Sequence, residues 1–152
     1  MPGYKGHLVG GLCVYGLGLY LLRSYCVSYS IGIEWCICRI AGSLFPDIDI
    51  KSKGQKYFYW IIVGIFGLLI IHQKHSMLAC ASMLAVTPLL ARHRGIFHNI
   101  WFILGLTSVG WLVLSNYQPS LSQILLLDAV FFFLGAASHI WLDVGFKRML
   151  RY

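Results

Sequence analysis

The sequence predicts an all-α membrane protein: a polytopic helical bundle of about six transmembrane or membrane-embedded helices, in a single domain of residues 1–152. The chain is 59% hydrophobic and only 11% charged, whereas soluble domains carry roughly 25% charged residues. Its mean hydropathy is +0.74, and its apolar residues form stretches close to the length of a membrane span. This composition excludes a water-soluble monomer. It also excludes an intrinsically disordered chain, which requires low hydrophobicity.

Short polar stretches separate the apolar segments, which run roughly over residues 7–22, 25–45, 57–71, 76–90, 97–115 and 121–144. Each lipid-exposed segment must be helical, because backbone N–H and C=O groups find no water partners in hydrocarbon. The third and fourth segments are shorter than the roughly 20 residues that a straight span requires. They are therefore either short spans or a hairpin that does not fully cross.

The first segment carries the glycines Gly10, Gly11, Gly16 and Gly18. In lipid, small residues let helices approach each other closely. The chain then reads Arg23-Ser24-Tyr25, without the small-residue pattern of a signal-peptide cleavage site. We therefore expect this segment to remain in place as a membrane helix.

The basic residues predict the orientation of the chain. There are 12 Lys+Arg against 5 Asp+Glu, a net charge of +7, but no long basic run, which disfavours nucleic acid as a partner. With six spans, one side of the membrane receives Lys5, Lys51, Lys53, Lys56, Arg92, Arg94, Lys147, Arg148 and Arg151. The loops on the other side carry only Arg23 and Lys74. The positive-inside rule then places both termini in the cytoplasm.

Carboxylates and histidines gather near the predicted cytoplasmic helix ends. The first group is Pro46-Asp47-Ile48-Asp49, in which the proline fixes the backbone at a helix exit. Asp47 and Asp49 repel each other unless a cation lies between them. On its own, an Asp-x-Asp pair is a weak signal that is typical of a solvated loop.

Histidines supply the other groups. His93 and His98 lie roughly 140° apart around a regular helix, so the glycine between them indicates a turn that brings the rings together. The alternative is a pair of interface histidines. His139 and Asp143 share one helix face and present two ligands to one ion; the alternative is a hydrogen bond that packs two helices. His7, at the start of the first helix, is the weakest member.

These groups together predict a metal site. The candidate ligands are His7, Asp47, Asp49, His93, His98, His139 and Asp143. Mixed imidazole and carboxylate donors suit zinc best, with manganese or iron as alternatives, and argue against calcium. Seven residues exceed the four ligands of a tetrahedral zinc. One or two ions are therefore expected, with some of the residues supporting the direct ligands.

The order of these motifs resembles a known family. Gly6-His7, Pro46-Asp47-Ile48-Asp49, His93-Arg94-Gly95-x-x-His98 and Ser138-His139-x-x-x-Asp143 are similar to the membrane-bound metal-dependent hydrolases, also described as LexA-binding, inner-membrane-associated hydrolases. The resemblance extends from Gly6 to Asp143. One departure is that the family often has Thr-His-Ser where this chain reads Phe97-His98-Asn99. The resemblance implies a hydrolase with a divalent metal in the inner membrane.

Two hypotheses of function follow. The first is a hydrolase that uses metal-activated water on a phosphoester or lipid-like substrate at the cytoplasmic face. Asp49, His98 and Arg94 are its predicted catalytic residues, and Arg94 is expected to hold a substrate phosphate. The second is a non-catalytic protein whose structural metal site holds short helices together and which recruits a cytoplasmic protein partner. Metal transport is a third reading, and it would use the mid-span residues Glu34, Arg39 and Asp128.

Overall fold

The computed structural model describes residues 4–25, 28–49, 53–73, 75, 78, 82, 85, 86, 88 and 96–150. This part of the chain is helical and contains no strand, which confirms the all-α class. The helices are α1 Tyr4–Leu21, α2 Tyr29–Leu44, α3 Lys53–Ile71, α4 Ile100–Tyr117, α5 Ser122–Val144 and the short α6 Phe146–Met149. Single-turn 3-10 helices lie at Arg23–Tyr25, Phe45–Asp49, Ile96–His98 and Pro119–Leu121.

Local side-chain chemistry sets the helix starts. Ser28 precedes α2, and its hydroxyl accepts a hydrogen bond from the Ile31 backbone N–H at 3.4 Å. Asn99 precedes α4, and its Oδ1 accepts from the Trp101 and Phe102 backbone N–H groups at 2.9 and 3.1 Å. Each cap satisfies donors that the first turn of a helix leaves without a partner.

Apolar length and exposure agree with a membrane location. Within the described ranges, Ile100–Tyr117 and Pro119–Val144 are long and apolar enough to cross a membrane, and Val9–Leu21 and Gln55–Ile71 are shorter apolar helices. Large apolar side chains face outward, with Trp60 67% exposed. Such surfaces are unusual in soluble monomers. Six spans remain a prediction, since most of the 76–90 segment lies outside the described residues.

The centre of the bundle is the α2–α5 pair, flanked by α1 and α4. The two helices touch at Gly42 and Gly135. A Cβ on Gly42 would collide with the Phe132 carbonyl oxygen, and a Cβ on Gly135 would collide with the Arg39 carbonyl oxygen. Glycine therefore sets the distance between the two helices, as small residues do in membrane bundles.

Helix α1 packs closely against the same pair, as its glycines predict. A Cβ on Gly18 would come within 2.8 Å of the Phe131 ring, and a Cβ on Gly11 would lie 3.4 Å from Ser43. Arg39 is 0% exposed, and its Nε–H donates to the Gly11 carbonyl oxygen at 3.1 Å. This buried hydrogen bond and the glycine contacts hold α1 in register with α2.

Gly135→Ala is expected to lower the melting temperature of the detergent-solubilised protein, because the added methyl group would meet the α2 backbone. Overpacking of this kind costs about 1–3 kcal/mol. Gly105→Ala is the matched control, since a Cβ at Gly105 in α4 meets nothing within 4 Å. Equal melting temperatures for the two variants would contradict glycine-set packing of α2 on α5.

Candidate metal centre

Four predicted ligands meet at one end of the α2–α5 pair. They are Asp47, His98, His139 and Asp143, and one donor atom of each lies within 4.8 Å of the donor atoms of the others. Three separate elements supply them. Asp47 comes from the turn after α2, His98 from the turn before α4, and His139 and Asp143 from the end of α5. The fold therefore brings together residues that are distant in sequence.

The separations fit one shared ion. His139 Nε2 lies 3.5 Å from Asp47 Oδ1 and 3.6 Å from Asp143 Oδ2. His98 Nε2 lies 3.8 Å and 3.9 Å from the same two oxygens. Ligand atoms around a tetrahedral zinc are about 3.3 Å apart when each lies about 2.0–2.1 Å from the ion. Small movements of these side chains would bring all four within that geometry.

A backbone carbonyl fixes the orientation of one imidazole. His139 Nδ1 lies 2.7 Å from the Ser43 carbonyl oxygen. A carbonyl oxygen only accepts hydrogen bonds, so Nδ1 carries the proton, and a neutral ring then presents its lone pair at Nε2. That lone pair faces the oxygens of Asp47 and Asp143, which favours a cation between them. Histidine ligands of metals commonly donate their other N–H to a carbonyl group in this way.

The four ligands are unequally buried, and Asp47 is the most exposed of them. The exposed fractions are 1% for His139, 3% for His98, 9% for Asp143 and 24% for Asp47. Asp143 is largely enclosed beside the two imidazoles, and a nearby positive charge would offset the desolvation of its carboxylate. Asp47 is the ligand that solvent or a substrate reaches most easily.

Aromatic rings join the two turns that carry Asp47 and His98. Phe45 lies edge-on to Phe97 at 5.5 Å and to Phe132 at 5.3 Å between ring centroids. Ile48, between the two aspartates of the turn, is 3% exposed. These contacts hold the Phe45–Asp49 and Ile96–His98 turns together, so the ligands that they carry have little freedom to separate.

The other predicted site residues are placed less completely. His7 lies on α1 one turn before Gly11; only its backbone position is described. Asp49 ends the 3-10 turn, and its side chain lies outside the described part. His93 and Arg94 fall outside the described residues. Their roles therefore stay predictions.

Sequence reasoning missed the contributions of Ser43 and Arg39. Ser43 acts through its backbone carbonyl, which gives no residue-type signal. The one available hint is that Ser43 lies in the last turn of a helix, where carbonyl groups lack intrahelical partners. The sequence offers Arg39 as a candidate transport residue, but in the structure its Nε–H joins α2 to the α1 backbone.

The fold and the site define a helical membrane protein with a candidate divalent-metal centre at one end of its bundle. Residues 1–148 match the family described as YdjM inner membrane protein, and the chain belongs to that family. This confirms an inner-membrane protein, as the motif order and the composition predicted. The orientation of the termini stays a prediction.

A more distant relative has a curated function. The phosphatidylglycerol–prolipoprotein diacylglyceryl transferase of Mycoplasmoides gallisepticum is 30% identical over 79 residues, which cover 52% of this chain and 21% of that enzyme. The chain therefore corresponds to about one fifth of the length of that relative. No solved structure gives a significant match.

His139→Ala is expected to reduce the zinc retained after dialysis by about tenfold or more, because it removes one donor of the centre together with its bond to Ser43. His72→Ala is the matched control, since His72 is exposed after the end of α3. Zinc per chain is measured by inductively coupled plasma mass spectrometry. Equal zinc loss in the two variants would show that the metal binds elsewhere.

Proposed function

We propose that this protein is a membrane-embedded metal-dependent hydrolase, acting on a phosphoester or lipid-like substrate at the cytoplasmic membrane face. The observation that supports this most directly is the unequal burial of four converging ligands. His98, His139 and Asp143 are nearly enclosed, whereas Asp47 remains 24% exposed. Four protein ligands fill a tetrahedral shell, but a catalytic zinc can expand to five ligands, and the exposed Asp47 side is where a water or substrate oxygen would add.

The donor set fits a divalent cation of the zinc, manganese or iron type. His98, His139, Asp47 and Asp143 would hold it, with Ser43 keeping His139 in the required tautomer. When bound, such a cation lowers the pKa of a coordinated water to near 7 and polarises a phosphoryl oxygen. Asp49 is proposed to accept a proton from the attacking water, His98 to serve as a ligand, and Arg94 to bind the substrate phosphate.

The position of the centre favours a lipid-like substrate. It lies at the end of the bundle that also carries Lys56 in the first turns of α3 and Lys147 and Arg148 in α6. By the positive-inside rule this end is cytoplasmic and close to the headgroups. The similarity of part of the chain to an enzyme named for phosphatidylglycerol is compatible with a substrate of this kind.

A structural metal site is the alternative. One observation favours it: the four ligands come from three separate elements, so a shared ion would tie the turns on either side of α3 to the end of α5. In that case the protein would be a membrane anchor that recruits a cytoplasmic partner. Such a site would lose its fold together with its metal.

Asp47→Asn separates the two hypotheses. For an enzyme, the variant should keep the wild-type melting temperature within a few degrees and lose hydrolysis of a phosphodiester by about 100-fold or more. Asp128→Asn is the matched control, because Asp128 lies on α5 but outside the cluster. It should retain both properties. Turnover is measured on phospholipid vesicles and on bis(p-nitrophenyl) phosphate with added zinc.

Two results would contradict the proposed hydrolase function. Wild-type hydrolysis that persists after a chelator has removed divalent metals would exclude the metal mechanism. A large fall in the melting temperature of zinc-free wild type and of Asp47→Asn, without zinc-dependent turnover on either substrate, would favour the structural site.

A further inference from the structure

The end of the chain is folded back onto the bundle. After α5, Gly145 adopts φ +79°, a left-handed conformation that glycine adopts without strain. The chain then forms α6, whose Met149 is 8% exposed and packs in one core cluster with Ile100, Ala136 and Ile140. The short helix is therefore fixed against the starts and ends of α4 and α5, close to the candidate metal centre.

The outer face of this region combines aromatic, aliphatic and basic side chains. We call it the C-terminal ledge: Trp141, Phe146, Lys147, Arg148 and Leu150. Trp141 and Phe146 are 53% and 57% exposed, and their ring centroids lie 6.2 Å apart. Lys147 and Arg148 are exposed, and within the described ranges neither takes part in an ion pair.

This combination has a defined physical preference. Exposed aromatic side chains favour the interface between hydrocarbon and water. Basic residues beside them are attracted to anionic lipid phosphates. A soluble anion would use the two cations but would leave the aromatic and leucine surface exposed to water.

The ledge follows the ligand-bearing end of α5 in sequence but faces away from the ligands. Gly145 is two residues beyond Asp143, and the Gly145 backbone N–H donates to the Trp141 carbonyl oxygen at 2.9 Å. Trp141 is two residues from both His139 and Asp143, roughly 200° around the helix, so its exposed ring lies on the side of α5 opposite the cluster.

We propose that the C-terminal ledge binds the headgroup of an anionic phospholipid at the membrane surface. The phosphate contacts Lys147 and Arg148, and the glycerol region lies along Phe146 and Trp141. Lipid binding to the ledge does not depend on the proposed hydrolase function.

The test uses the full chain in nanodiscs of phosphatidylcholine. Brominated phosphatidylglycerol and brominated phosphatidylcholine are added in separate arms. Quenching of Trp141, taken as the difference between each protein and its Trp141→Phe counterpart, reports which lipid lies beside the ledge. Wild type is expected to be quenched more strongly by brominated phosphatidylglycerol.

Charge variants test whether Lys147 and Arg148 create the preference for phosphatidylglycerol. Lys147→Gln with Arg148→Gln should reduce the preference for phosphatidylglycerol by roughly fivefold for each charge removed. Lys147→Arg with Arg148→Lys keeps both charges and should keep the preference. Lys56→Gln removes an exposed cation from α3 at the same end of the bundle and should also keep it.

Each outcome is decisive. Equal quenching by the two lipids in wild type would contradict lipid binding by the ledge. An unchanged preference for phosphatidylglycerol in the double glutamine variant would also contradict it. Zinc content and zinc-dependent turnover are measured on the same samples. If wild type shows the lipid preference but no zinc-dependent hydrolysis, the proposed hydrolase function is contradicted, whereas lipid binding by the ledge is supported. If wild type hydrolyses phospholipid without a lipid preference, lipid binding by the ledge is contradicted, whereas the proposed hydrolase function is supported.

Discussion

The hydrogen bond between His139 Nδ1 and the Ser43 carbonyl oxygen is the interaction on which the candidate centre depends. It assigns the proton to Nδ1 and turns Nε2 toward the two carboxylates. It also joins the last turn of α2 to α5. The bond requires that the two backbones approach closely, which Gly42 and Gly135 permit. Packing of small residues and metal-ligand geometry are therefore parts of one arrangement.

Helix α1 extends this arrangement. Arg39 is fully buried, and its Nε–H donates to Gly11. Burying a guanidinium in a membrane protein is expensive, so such residues usually serve a packing or functional purpose. Here the bond fixes the register of α1, and with it the position of His7 one turn away.

Much of the fold and part of the site could be predicted because their physical signals are local. Long apolar stretches must be helical in lipid, and the structure confirms this for the described residues. The four-residue spacing of His139 and Asp143 puts both on one helix face, and the cluster with Asp47 and His98 confirms that grouping. The residue types favour zinc, manganese or iron, and this class of metal stays a prediction.

The remaining features depend on tertiary contacts that no local pattern encodes. The Ser43 carbonyl becomes important only through the register of α2 against α5. The unequal exposure of Asp47 and His139 depends on how three elements close around them. The C-terminal ledge depends on the turn at Gly145 and on the burial of Met149; the same residues read from sequence form only a basic tail.

X-ray absorption spectroscopy of the zinc-loaded protein tests the central claim most directly. The account predicts a first shell of nitrogen and oxygen at about 2.0–2.1 Å, with the outer-shell scattering of at least two imidazoles and no sulfur. His98 and His139 supply those rings. Sulfur at about 2.3 Å, or a shell without imidazole scattering, would contradict a centre shared by Asp47, His98, His139 and Asp143.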